Sequence, residues 1–244
     1  MNSSDFLSLA ADDARSLLRA AETAWERPVR QCPGWNAADL VGHIGQVLEW
    51  IGSIAESRAR VSRSSQHAVP ESNLELPSWY RINLERTLDS LGAAAPESES
   101  WTLSRIGDHR IGWWNRRLAV EVAIHRWDLE DAAACEGAPP PHRLNSDVAT
   151  AGVEEFMVEF LPKLVSQQED EGLRGAILLD STDGSRSWLH LDDRASVSSD
   201  SMGVTTIRAS SSDILLWLTN RIPWKTLEVT GPTKVLEHWV QLRR

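Results

Sequence analysis

The run Trp113-Trp114-Asn115-Arg116-Arg117-Leu118-Ala119-Val120-Glu121-Val122-Ala123-Ile124-His125-Arg126-Trp127-Asp128 places its apolar residues at helical spacing. Counting by threes and fours from Trp114 gives Leu118, Glu121, His125 and Leu129, one stripe that faces a core. Glu121 and His125 interrupt that stripe one turn apart, where their Cβ atoms stand about 5–6 Å from each other. A carboxylate and an imidazole so placed can reach one ion, as paired acidic and histidine side chains do inside helical bundles. The spacing predicts a long helix over roughly Gly112 to Ala134.

Three further helices precede it. The first is capped by Ser3 or Ser4 and carries Phe6, Ala10, Ala14, Leu17, Ala21 and Trp25. Pro28 and the turn Cys32-Pro33-Gly34-Trp35 end it. Asn36 caps the second, with Asp39 three residues on and an apolar stripe of Leu40, Ile44, Val47, Ile51 and Ile54. His43 falls inside that stripe. Residues Arg58–Asn73 read as a polar surface loop, and the third helix runs from about Pro77 to Gly92. Four amphipathic helices before residue 138 predict a bundle.

Gly137-Ala138-Pro139-Pro140-Pro141 reads as a linker, because three prolines continue neither helix nor sheet. It separates an expected first domain, 1–138, from a second, 142–244. The second carries a helix near Ser146–Val165 and two short apolar runs, Ala176–Leu179 and Trp188–Leu191, flanking the hairpin signature Thr182-Asp183-Gly184-Ser185. Strand-like sequence at Val204–Ile207 and Leu227–Val229, a short helix at Asp213–Thr219 and a last helix from Pro232 complete it. The fold class is therefore α+β in two domains, a four-helix bundle followed by a small α+β domain.

Composition narrows the function. The chain has 244 residues and a net charge of −10, and both halves are acidic, which argues against a nucleic-acid partner. No apolar run approaches the roughly 18–20 residues that span a bilayer, and the N-terminus lacks the pattern of a signal peptide. Cys32 and Cys135 are the only cysteines and form no Cys-x-x-Cys pair, which suits a cytoplasmic protein with reduced thiols. The twelve tryptophans read mostly as core. Gly-rich phosphate loops, a Gly-x-Ser-x-Gly elbow and dinucleotide fingerprints are absent.

His43, Glu121 and His125 remain as three polar residues on apolar faces. Each can be a hydrogen-bonded core residue or half of an ordinary ion pair. Together they supply two nitrogens and one carboxylate, a donor set typical of catalytic zinc with an open fourth position. Asp128 and Asp131 are available to orient His125 from behind, the alternative being that at least one is a solvated charge in the C-terminal half of the helix. His67, His109, His142, His190 and His238 lie in polar contexts with no partner at ligand spacing and read as surface residues, and neither cysteine is favoured as a ligand.

Cys32-Pro33-Gly34-Trp35, then Asp39-Leu40-Val41-Gly42-His43, then Glu121 through Asp128 resemble the mycothiol-dependent maleylpyruvate isomerase family. The resemblance implies a DinB-like metal-binding four-helix bundle joined to a sterol-carrier-like C-terminal domain. It implies a divalent ion, usually zinc, on His43, Glu121 and His125, and mycothiol as thiol cosubstrate. It also implies an essential arginine after Leu215-Leu216-Trp217-Leu218-Thr219-Asn220, which makes Arg221 the candidate, although Asn220 stands where the family usually has glycine. The alternative for Arg221 is neutralisation of a helix C-terminus. The implied chemistry is thiolate attack on a small electrophile, either cis–trans isomerisation of a maleylpyruvate-like substrate or S-transfer. Arg221 would hold a substrate carboxylate, and Trp35, Trp113, Trp114 and Trp127 would wall the pocket. A metal-containing binding module without catalysis and a purely structural triad are the rivals. Either a monomer or a homodimer suits the sequence.

Overall fold

A computed structural model describes residues 2–135, 138–166, 175–190 and 204–241, apart from the side chains of Ser65, His238 and Gln241. The chain divides into two compact units, Met1–Leu144 and Asn145–Arg244. The expected surface position of His238, the end of the apolar run at Leu191 and the linker's first glycine lie outside the described residues or side chains.

The first unit holds α1 (Ser3–Ala21), α2 (Ala37–Ser57), α3 (Leu76–Gly92) and α4 (Ile111–Ala134). Asn2, and neither Ser3 nor Ser4, caps α1. Its side chain accepts from Asp5 N at 2.9 Å while its own N–H donates to the Asp5 carboxylate. That reciprocal pair satisfies two otherwise orphaned donors, whereas Ser3 has Phe6 three residues on and can form no such pair. α1 also stops one turn before Trp25. The carbonyls of Trp25 and Arg27 accept instead from Ala38 and Ala37 at the start of α2, which draws residues 22–27 out of the helix. α2 begins as its sequence predicts, with Asn36 and Asp39 forming a second capping box.

α1 packs chiefly on α4, and α2 on α3. The second contact is close because α2 presents glycines to its neighbours. A Cβ on Gly45 would lie 2.1 Å from the Trp79 ring, and one on Gly42 would lie 2.8 Å from Val69. The buried Tyr80 hydroxyl donates to Ala14 O at 3.0 Å, and the buried Thr87 hydroxyl donates to Leu48 O at 2.6 Å. Burial pushes the Tyr80 phenol well above its usual range, so it stays a neutral donor. Arg126, only 4% exposed, ties α4 to Asp13 of α1 at 2.8 Å and to Glu130 at 2.6 Å.

In the second unit α5 (Ser146–Glu155) runs through a π-helical turn, Phe156–Phe160, into α6 (Leu161–Ser166), where the sequence suggests one unbroken helix. Strands β1 (Ala176–Ser181), β2 (Arg186–His190), β3 (Thr205–Ala209) and β4 (Glu228–Thr230) form a sheet of order β2-β1-β3-β4. β1 and β2 make the expected hairpin, β1 and β3 pair in parallel, and β3 and β4 pair antiparallel. α7 (Ser211–Leu218) packs against α5, and α8 (Lys234–Gln241) brings Trp239 to 5.6 Å from the Trp217 ring. This is the α+β architecture read from the sequence.

Candidate metal centre

His43 on α2 and Glu121 and His125 on α4 converge. One donor atom from each lies within 4.8 Å of the others. Glu121 Oε1 stands 3.7 Å from His43 Nε2 and 3.8 Å from His125 Nε2. Both separations are long for hydrogen bonds, and tetrahedral donors about 2.0–2.2 Å from a zinc ion stand roughly 3.3–3.6 Å apart. The two imidazoles meet edge to face, with ring centroids 5.7 Å apart. The His43 side chain keeps 29% of its surface exposed against 12% for His125, so the group is reached from the His43 side.

His125 is fixed from behind. Its Nδ1 lies 2.9 Å from a carboxylate oxygen of Asp128, whose side chain is fully buried. A carboxylate there holds the proton on Nδ1 and leaves the Nε2 lone pair aimed at Glu121 and His43, as metal-ligating histidines require. Burial acts to raise the Glu121 pKa, but the neighbouring interactions, led by the Arg117 guanidinium, outweigh it and hold this carboxyl well below the usual carboxylate range. Arg117, one turn before Glu121, donates to its other oxygen, Oε2. Oε1 is thus anionic and turned toward the histidines. The donor set, the fixed tautomer and the spacing fit a divalent ion, with nitrogen and carboxylate ligands of the kind zinc takes.

The turn between α1 and α2 closes one side. Trp35 N donates to Cys32 O at 2.9 Å, Val29 N donates to Trp35 O at 2.9 Å, and Gly34 between them takes φ +85°. This tight loop sets the Trp35 ring 5.1 Å from the His43 ring. Asp131 anchors it to α4, accepting from Arg30 at 2.7 Å and Gln31 at 2.5 Å. Asp128 and Asp131 therefore have different tasks, the first on His125 and the second on the loop. Cys32 also belongs to these surroundings, with its Sγ within 4.8 Å of donor atoms of His125 and Asp128. The sequence offered no signal for that, because Cys32 and His125 meet only through the loop's curvature.

Of the four tryptophans expected to wall the site, Trp35 is the one in ring contact with a proposed ligand. Trp114 packs instead on Trp113, Trp50 and Trp101, at centroid distances of 4.8, 5.3 and 6.2 Å. His67 does not stand alone either. Its Nδ1 lies 2.5 Å from Glu49, a carboxylate 5% exposed on α2 that the helical stripe did not single out.

Arg221 lies in the second unit. Its backbone N–H donates to Leu216 O at 2.7 Å and that of Asn220 donates to Trp217 O at 3.0 Å, the bond pair that closes a helix through a left-handed residue. Asn220 is that residue, at φ 64°. Asparagine tolerates the conformation better than other side chains, which accounts for its standing at a glycine position. Arg221 Nη1 donates to Thr219 O at 2.7 Å, as helix-end neutralisation would have it. The side chain also lines a cavity of about 690 Å3 with Trp217, Trp224, Lys225, Glu237 and Trp239.

With this geometry in place, two domain profiles account for most of the chain. The mycothiol maleylpyruvate isomerase N-terminal domain matches residues 7–130, and the C-terminal domain of the same proteins matches residues 147–238. The chain belongs to the mycothiol maleylpyruvate isomerase family. Two solved structures share its fold, a crystal structure of the mycothiol-dependent maleylpyruvate isomerase and one of a His→Ala mutant of it. They are 14% and 13% identical, with TM-scores of 0.61 and 0.63, and in each case 95% of both chains is covered. No curated protein matches by sequence. No described helix is long and apolar enough to cross a membrane.

Proposed function

We propose that this protein is a zinc-dependent enzyme that uses mycothiol to isomerise a cis-enoyl dicarboxylate of the maleylpyruvate type. The observation that carries the proposal is the convergence of His43, Glu121 and His125, with His125 Nδ1 held by buried Asp128, in a chain of this family. His43, Glu121 and His125 would hold a divalent ion, which would supply Lewis acidity that favours the thiolate form of a thiol. The reaction then needs no net change of atoms. The mycothiol sulfur adds to the cis double bond, the resulting single bond rotates, and departure of the sulfur leaves the trans isomer.

The chain's own residues contribute position and charge. Asp128 keeps the His125 proton on Nδ1, so Nε2 remains a lone-pair donor throughout. Glu121 supplies one negative charge, and Arg117 neutralises the oxygen that faces away from the histidines. Trp35 covers one side of His43 and limits the approach of water. Arg221, whose planar fork suits a carboxylate, is proposed to hold a substrate carboxylate.

The test supplies mycothiol and maleylpyruvate to zinc-loaded, chelator-treated and His125→Ala protein and follows the trans product by proton NMR. Turnover is expected in the first and none in the other two. Equal turnover after chelation would overturn the metal requirement, and no turnover in the zinc-loaded protein would overturn the isomerase reading.

A further inference from the structure

A second hollow lies in the first unit, away from the metal centre. Its volume is about 590 Å3, and it is lined by Trp50, Arg60, Val61, Ser62, Arg63, Trp101 and Leu103. Trp50 stands seven residues beyond His43 on α2, about 10 Å along the helix axis. The floor is rigid. Trp50, 4% exposed, packs edge to face on Trp101 at 6.0 Å and on Trp114 at 5.3 Å. The chain leaves α2 at Arg58, which takes φ 61° and accepts from Trp101 N at 3.0 Å, and then curls over the floor. Val61 O is held there by the Trp50 indole N–H at 2.9 Å.

The rim is cationic. The Arg63 guanidinium lies 4.3 Å above the Trp50 ring, and that of Arg60 lies 5.8 Å from Trp101. No carboxylate lines the hollow among the described residues. Elsewhere in this acidic chain arginines pair with carboxylates, as Arg15, Arg30, Arg81, Arg86, Arg126 and Arg208 do. Arg58 adds an Nη1 that is buried without a hydrogen-bond partner among the described residues. Two guanidiniums in four residues, Arg60 and Arg63, thus stand beside an apolar floor with no carboxylate in the lining among the described residues. Stacking on indole holds a guanidinium's plane but leaves its N–H edge free for an oxyanion.

The geometry points to a second ligand site here, one for an aryl carboxylate, with the ring against Trp101 and Leu103 and the carboxylate between Arg60 and Arg63. The size suits a small molecule, and an apolar body with one anionic end matches an apolar floor with a cationic rim. The site is independent of the metal and of the isomerase reaction.

The test is calorimetric titration of the metal-free 244-residue chain with 2-naphthoate, 2-naphthamide and inorganic phosphate. Naphthoate is expected to bind, with the neutral amide weaker by about tenfold, as loss of charge-assisted bonds dictates. Arg60→Met and Arg63→Met should each weaken naphthoate by about threefold to tenfold and leave the far-UV circular dichroism unchanged, since both side chains are on the surface. Phosphate binding as tight as naphthoate would show a simple oxyanion site and overturn the aryl assignment. Equal affinity for acid and amide, no binding at all, or binding untouched in both variants would overturn the site. His43→Ala serves as the control that the ligand is not at the metal centre, and naphthoate binding lost in that variant would also overturn it.

Discussion

α2 and α4 face each other in two layers seven residues apart. In one layer Trp50 meets Trp114 at 5.3 Å, edge to face, with Trp101 and Trp113 closing around them. In the other, Glu121 Oε1 stands 3.7 Å from His43 Nε2 and 3.8 Å from His125 Nε2. The aromatic layer is already satisfied. The indole N–H groups of Trp50 and Trp114 are spent on Val61 O and Trp101 O, and the two rings meet each other edge to face. The polar layer satisfies its outward-facing atoms with Asp128 and Arg117 and turns the remaining ones toward each other. One helix pair thus carries a layer that supplies stability and a layer that spends it on converging donors.

Four substitutions sharpen or break that contrast. His125→Ala should abolish stoichiometric zinc, measured by elemental analysis of protein prepared without added metal. Zinc retained at one per chain would end the division between layers. Trp114→Ala should lower unfolding free energy by about 3–5 kcal/mol, the cost of emptying a fully buried aromatic site, while denaturant titration finds His125→Ala in metal-free protein far milder. Asp128→Asn, which removes the carboxylate behind His125, should weaken zinc by about 10–100-fold in a competition titration and leave the aromatic layer intact. Glu121→Gln gives the smallest change and shows it in acid. The Glu121 carboxyl is held below its unfolded value, about 4.3. It therefore contributes stability above that pH, and loses it as pH falls toward the folded pKa. The metal-free Gln variant should lack this acid-side decline; an identical decline in both proteins would show that the carboxylate is not stabilised as its neighbours imply.

The polar layer was legible because helical period is a long-range ruler. Once α2 and α4 are helices with apolar stripes, His43, Glu121 and His125 are the residues that do not belong. Loop-dependent features were not legible. Cys32 comes near His125 through a four-residue turn, and Glu49 is buried under His67 by a segment with no periodicity. Helix ends failed for a related reason. Asn2 outcompetes Ser3 and Ser4 through a partner three residues on, and α1 ends early because α2 takes its carbonyls. In the second unit the strands were found from short apolar runs. The parallel pairing of β1 with β3 joins segments distant in sequence, which no local pattern encodes. The departure from glycine at Asn220 proved conservative once its φ of 64° was visible.

The glycines of α2 carry a consequence for how the protein matures. A helix with Gly42, Gly45 and Gly52 forgoes about 1 kcal/mol at each relative to alanine, so α2 is a poor helix until Trp79 and Thr87 of α3 and Val69 of the preceding loop cover those positions. His43 lies between two of them. Docking of α3 therefore helps to fix His43 in place, whereas Glu121 and His125 are one turn apart on a single helix. On the proposed reading, the three-donor set is therefore complete only once α3 covers the glycine face of α2.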